Sequence, residues 1–388
     1  MNSINSAPFE LGVFSKATDN FAGWIDRLSV RRSLSLIIPI YHCTRELVAN
    51  IHDDGLIGEF SEVILVLDSS PDKSIQNSLI SAFEKWGNKI RCITNLRNLG
   101  FIRSVNKGIR ESNPNNDLVI LNSDARVNAA TVRRLSISAH AFGNVATAGP
   151  LSNSNGFFSV NPTSTFLEGF DLDIAHQWAS IHAHQLHEEC PANNGFCLYI
   201  SRNAINGIGL LDELMYYRGY AEETDFCMRA TQSGFRNLVS FTSFGAHSAG
   251  SSFGAEKSTL QKVNGRILRA VFPEFGNSLR SYEETSLITT LKGAASAGRD
   301  TRRINSFQID VNEDRIRVLS GDHIFLSLEY TQLQGSETFD ICTYLVFRFF
   351  PERLAISESA KLTFDSRERL KLASSFAKPG SISTPTRH

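Results

Sequence analysis

The sequence lacks several features that would place the chain in a specialised class of protein. Its 388 residues include only six cysteines, whose spacing matches neither a disulfide framework nor a zinc site and favours reduced thiols in a cytosolic protein. Basic residues number 39 and acidic residues 40, so the basic excess of a nucleic-acid binder is missing. No apolar run approaches the roughly 18 residues that span a bilayer, and no cationic start precedes an apolar core, so we predict no secretory signal.

The composition that is present belongs to a globular protein, with 41% hydrophobic and 20% charged residues. At roughly 150 residues per domain, the length suggests two or three domains. Changes in character along the chain predict an N-terminal extension over residues 1–33 and a main domain over 34–290. A β-rich module over 300–372 and a disordered tail over 373–388 are predicted to follow.

Four short apolar runs in the first third of the chain indicate strands. They are Leu34–Tyr41, Glu62–Asp68, Lys89–Thr94 and Asp117–Asn122. Nearly continuous apolar runs suit strands that are buried on both faces of a parallel sheet. Ser74–Trp86 and Asn98–Glu111 have helical spacing between these runs. The alternation predicts an α/β fold with a mostly parallel central sheet flanked by helices.

The remainder of the chain gives a coarser pattern. In the main domain we predict a loop rich in Ser, Asn and Gly over Gly149–Pro162, a strand over Phe196–Ile200 and a linker over Gly293–Arg299. Helices are predicted around Phe170–Glu189, over Tyr220–Ser233 with a stop at Gly234, and over Glu256–Val271. Arg315–Leu319, His323–Tyr330 and Phe339–Phe349 alternate as strands do and predict the small C-terminal β-rich module.

Two aspartates, Asp68 and Asp124, follow predicted strands. Ligands of open α/β sheets bind at the carboxyl ends of strands, where an aspartate can meet a base, a ribose or a metal. An aspartate also suits a turn or a helix cap, so both interpretations stay open for each residue alone, whereas together they favour a nucleotide site. In Asn98–Phe101, with Asn106 and Gly108, a glycine permits either close approach of the backbone to a ligand or tight helix packing, and packing is the favoured interpretation.

The densest acidic cluster is the segment from Tyr220 to Arg229. Glu222 and Asp225 lie about one helical turn apart, as do Asp225 and Arg229, while Glu223 points elsewhere. Neighbouring carboxylates raise each other's proton affinity, and Arg229 could orient Asp225 while leaving a glutamate free to accept a proton. A solvated acidic face is the alternative.

His247 lies among small residues in the segment Phe244–Phe253, which predicts a loop of close approach around it. A lone histidine is more often structural than a ligand. A neutral imidazole can nevertheless bind a divalent cation.

In chain order, these motifs resemble the family 2 glycosyltransferases of the GT-A fold, a Rossmann-like α/β fold, and in particular the bacterial members that build O-antigens and other surface polysaccharides. The resemblance covers about residues 34 to 275. The matching segments are Ile37–Tyr41, Val66–Asp68, Asn98–Phe101 with Asn106 and Gly108, Leu121–Asp124, Gly149–Asn153, Asn194–Cys197 through Arg202, Gly207–Glu213, Gly219–Arg229, and His247 with Ser252 and Phe253.

The resemblance implies roles for individual residues. Glu223 would be the general base, and Glu222 and Asp225 would shape the acceptor pocket. Asp124 and His247 would hold a divalent cation, Mg²⁺ or Mn²⁺, although Asn122 replaces the first aspartate of the family's Asp-x-Asp motif and Ala221 replaces a usual glycine. The implied nucleotide-sugar-binding residues are Pro39, Tyr41, Asp68, Asn98, Gly100, Asn106, Asn122, Ser123, Asp124, Gly195 and Arg229.

The implied function is inverting transfer of a sugar from a UDP- or dTDP-type nucleotide sugar to a hydroxyl of a glycan or lipid-linked glycan. The role would be in the synthesis of bacterial surface polysaccharide, in the cytoplasm or at the inner face of the membrane. The alternative is a catalytically silent protein of the same fold that binds a sugar nucleotide or a glycan. It is motivated by Asn122 and by the C-terminal module.

Overall fold

The computed structural model describes residues 33–154, 156–160, 172, 175, 176, 179, 187–216, 219–248 and 257–296, together with four strands between residues 307 and 356. The chain divides into two compact units. One comprises Arg27–Ala179 and His187–Arg299, and the other comprises Met1–Asp26, Ser180–Leu186 and Asp300–His388. The predicted domain boundaries remain predictions, and the predicted N-terminal extension and tail lie outside the described residues.

A nine-stranded mixed sheet forms the centre of the larger unit in the described part of the chain. Its strands are β1 (Leu34–Ile40), β2 (Glu62–Leu67), β3 (Ile90–Thr94), β4 (Asp117–Leu121), β5 (Ala125–Arg126), β6 (Val145–Ser152), β7 (His187–Glu189), β8 (Cys197–Ile200) and β9 (Arg236–His247). The order is β3-β2-β1-β4-β8-β6-β9-β5, with β7 paired to β9. Only β5, β7 and β8 run against the other six strands, which confirms the predicted mostly parallel α/β fold.

Helices cover both faces of this sheet. They are α1 (Arg45–Ile51), α2 (Asp54–Gly58), α3 (Ser74–Trp86), α4 (Phe101–Glu111), α5 (Ala129–His140), α6 (Arg202–Ile208), α7 (Glu222–Gln232), α8 (Lys257–Val271), α9 (Phe275–Thr285) and α10 (Leu287–Ser296). Within the described residues, none of them has the length and apolarity that crossing a bilayer requires.

Strand β1 shows why the first apolar runs are continuous. Its side chains alternate between two cores: Leu36 and Ile38 face the core that includes α1, α2, α3 and α5, whereas Ile37 faces the core that includes α4, α6 and α7. All three side chains are fully buried. A strand that is covered on both faces has no solvent side, so polar alternation is absent from its sequence.

Helix α4 approaches the sheet most closely at Gly108. A β-carbon at this position would lie 2.5 Å from Cγ2 of Ile37 on β1 and 3.3 Å from Cγ2 of Val66 on β2. The missing side chain therefore sets the distance between helix and sheet, as the packing interpretation of this glycine predicts.

The smaller unit contains a four-stranded sheet. Its strands are β10 (Phe307–Val311), β11 (Arg315–Ser320), β12 (His323–Glu329) and β13 (Leu354–Ile356). The order is β12-β11-β10-β13, antiparallel except for the β10–β13 pair. The predicted β-rich module is present in β11 and β12, while Phe339–Phe349 lies outside the described residues.

Several local predictions were wrong. The first residues of the predicted loop at Gly149 are instead the end of β6, because they pair with β9 and are buried. Gly149 leaves room for the side chain of Asn193, whose Oδ1 lies 2.5 Å from where a β-carbon would be. His187–Glu189 is strand β7 rather than the end of a helix, since it pairs with β9. The predicted linker is helical as far as Ser296.

Replacement of Gly108 by alanine tests the contact between α4 and the sheet. We expect Gly108→Ala to lower the free energy of unfolding by about 2 kcal/mol, because the new methyl group overlaps Ile37 and the buried core cannot expand freely. Gly58→Ala is the matched control, since a β-carbon there meets no atom within 4 Å. Urea unfolding measures both, and equal stability of the two variants would contradict this packing.

Candidate functional site

A cleft of about 100 Å³ opens where β1, β2 and β4 end. Parallel pairing of β1 with β2 and β4 brings the carboxyl ends of these strands to one edge of the sheet. The cleft is lined by Pro39, Ile40, Tyr41, Asp68, Asn98, Gly100, Phe101, Ser104, Asn122, Ser123 and Asp124. Eight of these residues are among the predicted nucleotide-sugar-binding residues. Ile40, Phe101 and Ser104 were missed, although Ser104 follows Gly100 by one helical turn, which is the signal that could have indicated it.

The carboxylate of Asp68 organises the loop that forms one wall of the cleft. Its Oδ1 accepts hydrogen bonds from Nδ2 of Asn95 at 2.9 Å and from the amide of Leu99 at 2.7 Å, and its Oδ2 accepts from the amide of Gly100 at 2.7 Å. Gly100 has φ of 84° and directly precedes α4, a backbone conformation that favours glycine. Asp68 therefore fixes both the loop and the start of α4.

Asp124, which lines the cleft, meets His247. Nε2 of His247 lies 3.3 Å from Oδ1 of Asp124, at the end of β9 next to β5. Nδ1 of His247 faces the carbonyl oxygen of Ser154 at 3.0 Å, and because that oxygen only accepts, Nδ1 must carry the proton. In the neutral ring, Nε2 then presents a lone pair toward the carboxylate. The predicted loop around His247 is wrong up to this residue, because β9 extends to it.

The ring of His247 is held rigidly in this orientation. Its backbone amide donates to Oδ1 of Asn153 at 2.8 Å, and its ring stacks on Phe196 with centroids 5.1 Å apart. Gly245 permits this arrangement, since a β-carbon there would lie 2.9 Å from the Phe196 ring. A histidine that binds a metal commonly donates its other ring N–H to a carbonyl oxygen, as Nδ1 of His247 does to Ser154.

The ligands that Asp124 and His247 offer fit a divalent cation whose remaining coordination positions are filled by a substrate. Asp124 and His247 supply one carboxylate oxygen and one imidazole nitrogen, and Oδ1 of Asn122 is buried without a hydrogen-bond partner. Among the described residues, no group of three or more His, Cys, Asp or Glu side chains could hold a metal alone. Mg²⁺ commonly takes one or two carboxylates together with phosphate oxygens, so a two-residue site suits a cation that arrives with a phosphate ligand.

The acidic pair Glu222–Glu223 begins helix α7. Burial raises the pKa of both carboxyl groups, that of Glu222 well above its usual range because the charge of Glu223 adds to the burial. The two side chains are hydrogen bonded, and this bond raises the pKa of Glu222 and lowers that of Glu223. Glu222 is therefore the protonated member, and it donates the hydrogen bond to Glu223. Oε2 of each is buried without a partner. Glu223 is therefore the member of the pair that ionises first.

Asp225 and Arg229 have a different role in the same helix. Nε of Arg229 donates to Oδ2 of Asp225 at 2.7 Å, and its two terminal nitrogens donate to the carbonyl oxygens of Ile208 and Leu210, each at 2.9 Å. The hydroxyl of Tyr216 lies 3.4 Å from Oδ1 of Asp225. These contacts anchor α7 against the segment that follows α6, and they occupy the carboxylate that was predicted to act at the site.

The turn before α7 has an unusual backbone. Gly219, Tyr220 and Ala221 have φ of 131°, 70° and 81°. A non-glycine residue in the left-handed region costs about 1–2 kcal/mol, so Tyr220 and Ala221 store strain directly before the acidic pair. Ala221, which stands where the resemblance predicts a glycine, therefore has a backbone conformation that favours glycine.

Two contacts connect the acidic pair to the cleft. A β-carbon on Gly195 would lie 3.8 Å from both Cβ of Glu223 and the ring of Phe101, which lines the cleft. The pKa of Tyr220 is raised by burial and by the nearby carboxylates of Glu222, Asp124 and Glu223. Tyr220, which sequence reasoning missed, therefore faces both the acidic pair and Asp124.

The cleft lining leaves out three of the predicted binding residues, Asn106, Gly195 and Arg229. Gly195 lies between Glu223 and the ring of Phe101. Asn106 is fully buried on α4, where Nδ2 donates to the carbonyl oxygen of Leu211 at 2.8 Å and Oδ1 accepts from the Leu211 amide at 3.2 Å. Arg229 is engaged by Asp225 and two carbonyl oxygens. The side chains of Asn106 and Arg229 join helices to the segment over residues 208–213, and their role in binding stays a prediction.

One family model matches part of the chain. Residues 35–209 match the family model described as "Glycosyl transferase family 2". The matched segment contains β1 through α6 and the whole cleft lining, whereas the acidic pair and His247 lie beyond it. The chain matches no curated protein in sequence.

Several solved structures resemble the chain at low identity. GalNAc-T7 with UDP, GalNAc and Mn²⁺ is 13% identical with a TM-score of 0.44; 74% of this chain and 65% of that chain are covered. The Pyrobaculum calidifontis mannosyltransferase PcManGT with GDP-Man and Mn²⁺ is 14% identical with a TM-score of 0.46; 70% of this chain and 74% of that chain are covered. S. aureus TarS 1–349 is 14% identical with a TM-score of 0.38; 76% of this chain and 98% of that chain are covered.

The pair formed by Asp124 and His247 predicts measurable cation binding. We expect Asp124→Asn to weaken Mn²⁺ binding at least tenfold, because it removes the only anionic ligand of the pair. Electron paramagnetic resonance of free Mn²⁺ during titration measures the affinity. Glu46→Gln is the control: Glu46 contacts Ser248 beside His247 and is not a proposed ligand. Equal affinities of wild type and Asp124→Asn would exclude this site.

Proposed function

We propose that this chain, whose residues 35–209 carry the family 2 glycosyltransferase pattern, is an inverting glycosyltransferase. The donor is a nucleotide-diphosphate sugar of the UDP or dTDP type, and the acceptor is a hydroxyl group of a glycan. The observation that carries this proposal is the placement of an ionisable glutamate, Glu223, beside a cleft that is lined by Asp124, with His247 3.3 Å from Asp124.

The cleft supplies the groups that a nucleotide sugar requires. Tyr41 and Asp68 line the cleft and would contact the base and the ribose, and Asn122 has a buried side-chain oxygen with no hydrogen-bond partner. Asp124 and His247 would hold a divalent cation, which when bound offsets the negative charge that develops on the diphosphate leaving group. The residues of the chain thereby fix the donor with its diphosphate on one side of the sugar.

Glu223 then acts on the acceptor. Its carboxylate takes the proton of the acceptor hydroxyl as that oxygen forms a bond to the anomeric carbon. The bond from the anomeric carbon to the diphosphate oxygen breaks, and its electron pair leaves with the nucleoside diphosphate. Because the attack comes from the face opposite the leaving group, the configuration inverts. Glu222 keeps its proton and donates a hydrogen bond to Glu223, which favours the ionised form of the base.

The silent alternative of the same fold is less well supported. Asn122 removes one carboxylate from the cation site, but the buried acidic pair remains, and burial of two adjacent carboxyl groups is costly without a chemical use. Participation in bacterial surface polysaccharide synthesis, and a cytoplasmic or peripheral membrane location, stay predictions from the resemblance.

Replacement of the proposed base tests the reaction directly. We expect Glu223→Gln to lower kcat at least 100-fold and to leave donor-nucleotide affinity within twofold, because general-base catalysis contributes about 10²- to 10⁴-fold. A thermal-shift panel of UDP, dTDP, GDP and CMP with Mn²⁺ identifies the donor class. Release of the nucleoside diphosphate then measures turnover without knowledge of the acceptor.

The control for this variant is Glu84→Gln, which removes an exposed carboxylate on α3. It should turn over as wild type does. Wild-type turnover in Glu223→Gln would eliminate Glu223 as the base. Nucleotide binding without turnover by the wild type, with any donor, would instead favour the silent alternative.

The raised pKa of Glu223 predicts the pH dependence of turnover. Glu223 must be ionised, and burial raises its pKa above the usual 4.5, so kcat should fall on acidification at a higher pH than for an ordinary glutamate. Glu222→Ala removes the hydrogen bond that lowers this pKa and should move the acidic limb to still higher pH. Glu222→Gln keeps an N–H donor and should stay near wild type. An acidic limb at the same pH in wild type, Glu222→Ala and Glu222→Gln would contradict the effect of Glu222 on the pKa of Glu223.

A further inference from the structure

We propose that Asn264, on helix α8, is a positioning residue that holds the turn Gly219–Ala221 and thereby fixes the orientation of the Glu222–Glu223 pair. Its effect on turnover depends on the proposed function, whereas its hold on the turn does not. Asn264 lies well beyond residue 209, where the family match ends, so no sequence motif indicates it.

One buried hydrogen bond connects α8 to the turn. Nδ2 of Asn264 donates to the carbonyl oxygen of Gly219 at 2.7 Å, and the side chain of Asn264 is only 2% exposed. The bond reaches the first of three consecutive residues with positive φ. A strained backbone persists only where its surroundings hold it, and this bond holds the turn from outside its own segment.

The opposite end of the turn is held differently. The amide of Asp225 donates to the carbonyl oxygen of Ala221 at 2.8 Å, and Arg229 secures the carboxylate of Asp225. Helix α7 is thus anchored without Asn264, while Asn264 restrains the entry to the turn. Loss of this bond weakens the restraint, so the φ angles of Tyr220 and Ala221 can relax toward negative values. Because Glu222 and Glu223 follow immediately, the relaxation would rotate their carboxyl groups relative to the cleft.

Relief of the strain distinguishes positioning from general support. In Ala221→Gly, residue 221 adopts the left-handed conformation without cost, so the residue next to the acidic pair no longer needs an external restraint. The variant Ala221→Gly should therefore restore what Asn264→Ala loses. A residue that merely supports the core would show no such rescue.

The experiment compares Asn264→Ala, Ala221→Gly and the double variant. We expect Asn264→Ala to lower kcat at least tenfold, to shift the acidic limb of its pH profile, and to leave the Mn²⁺ affinity and the KM for the donor within twofold. The double variant should return to within threefold of wild type. The variant Asn264→Asp, which has the same shape but no N–H donor, should behave like Asn264→Ala.

Hydrogen–deuterium exchange gives a readout that is independent of turnover. The peptide that covers residues 219–226 should exchange faster in Asn264→Ala and return toward wild type in the double variant. Asn144→Ala is the matched control, because Nδ2 of Asn144 donates at 2.7 Å to Gly234, a residue with φ of 81° just past the other end of α7. It should speed exchange there and leave kcat unchanged.

The outcomes separate the two proposals. Unchanged exchange over residues 219–226 in Asn264→Ala overturns the positioning role whether or not the protein turns over a donor. A loss of kcat that Ala221→Gly fails to reverse, or that Asn144→Ala shares, also overturns it. Faster exchange with rescue, in a protein that turns over no donor, keeps the restraint on the turn and rejects the proposed reaction.

Discussion

The parallel pairing of β1 with β2 and β4 is the constraint on which the rest of the structure depends. It requires that the three strands end at the same edge, and the polar residues that follow them must therefore share one space. Gly108 allows α4 to lie close against these strands, and the first turn of that helix completes the cleft. The site is in this sense a consequence of how the core is buried.

Charge is placed at this edge by burial and by hydrogen bonds to the backbone. Asp68 is stabilised by two backbone amides and an asparagine side chain, so its carboxylate is satisfied without a cation. The Glu222–Glu223 pair has no donor at its buried Oε2 atoms, and the two carboxyl groups form a hydrogen bond in which Glu222 keeps the proton. This bond raises the pKa of Glu222 and lowers that of Glu223, and such a difference is how acid and base roles are commonly separated.

Rigidity is distributed unevenly around the site. His247 is held by a ring stack, a backbone hydrogen bond and a fixed tautomer, and Asp225 is held by Arg229. The turn between these anchored elements contains two strained non-glycine residues, Tyr220 and Ala221. A strained segment next to a buried acidic pair is more sensitive to a single lost restraint than the sheet beneath it, where each strand is held along its length.

The sequence by itself determined strands β1 to β4, helix α3, and the set of aspartates at one sheet edge, because apolar runs and helical spacing depend on local chemistry alone. Burial on both faces was expected for all four strands but fails for β3, where only Ile90 is buried. It could not determine that Gly149 lies in a strand, since a segment rich in small residues becomes a strand only when β9 pairs with it. Tertiary structure also decided that Asn106 and Arg229 face inward, and that Asn264 reaches Gly219. Such contacts join residues far apart in the chain, and no local pattern encodes the partner of a buried hydrogen bond.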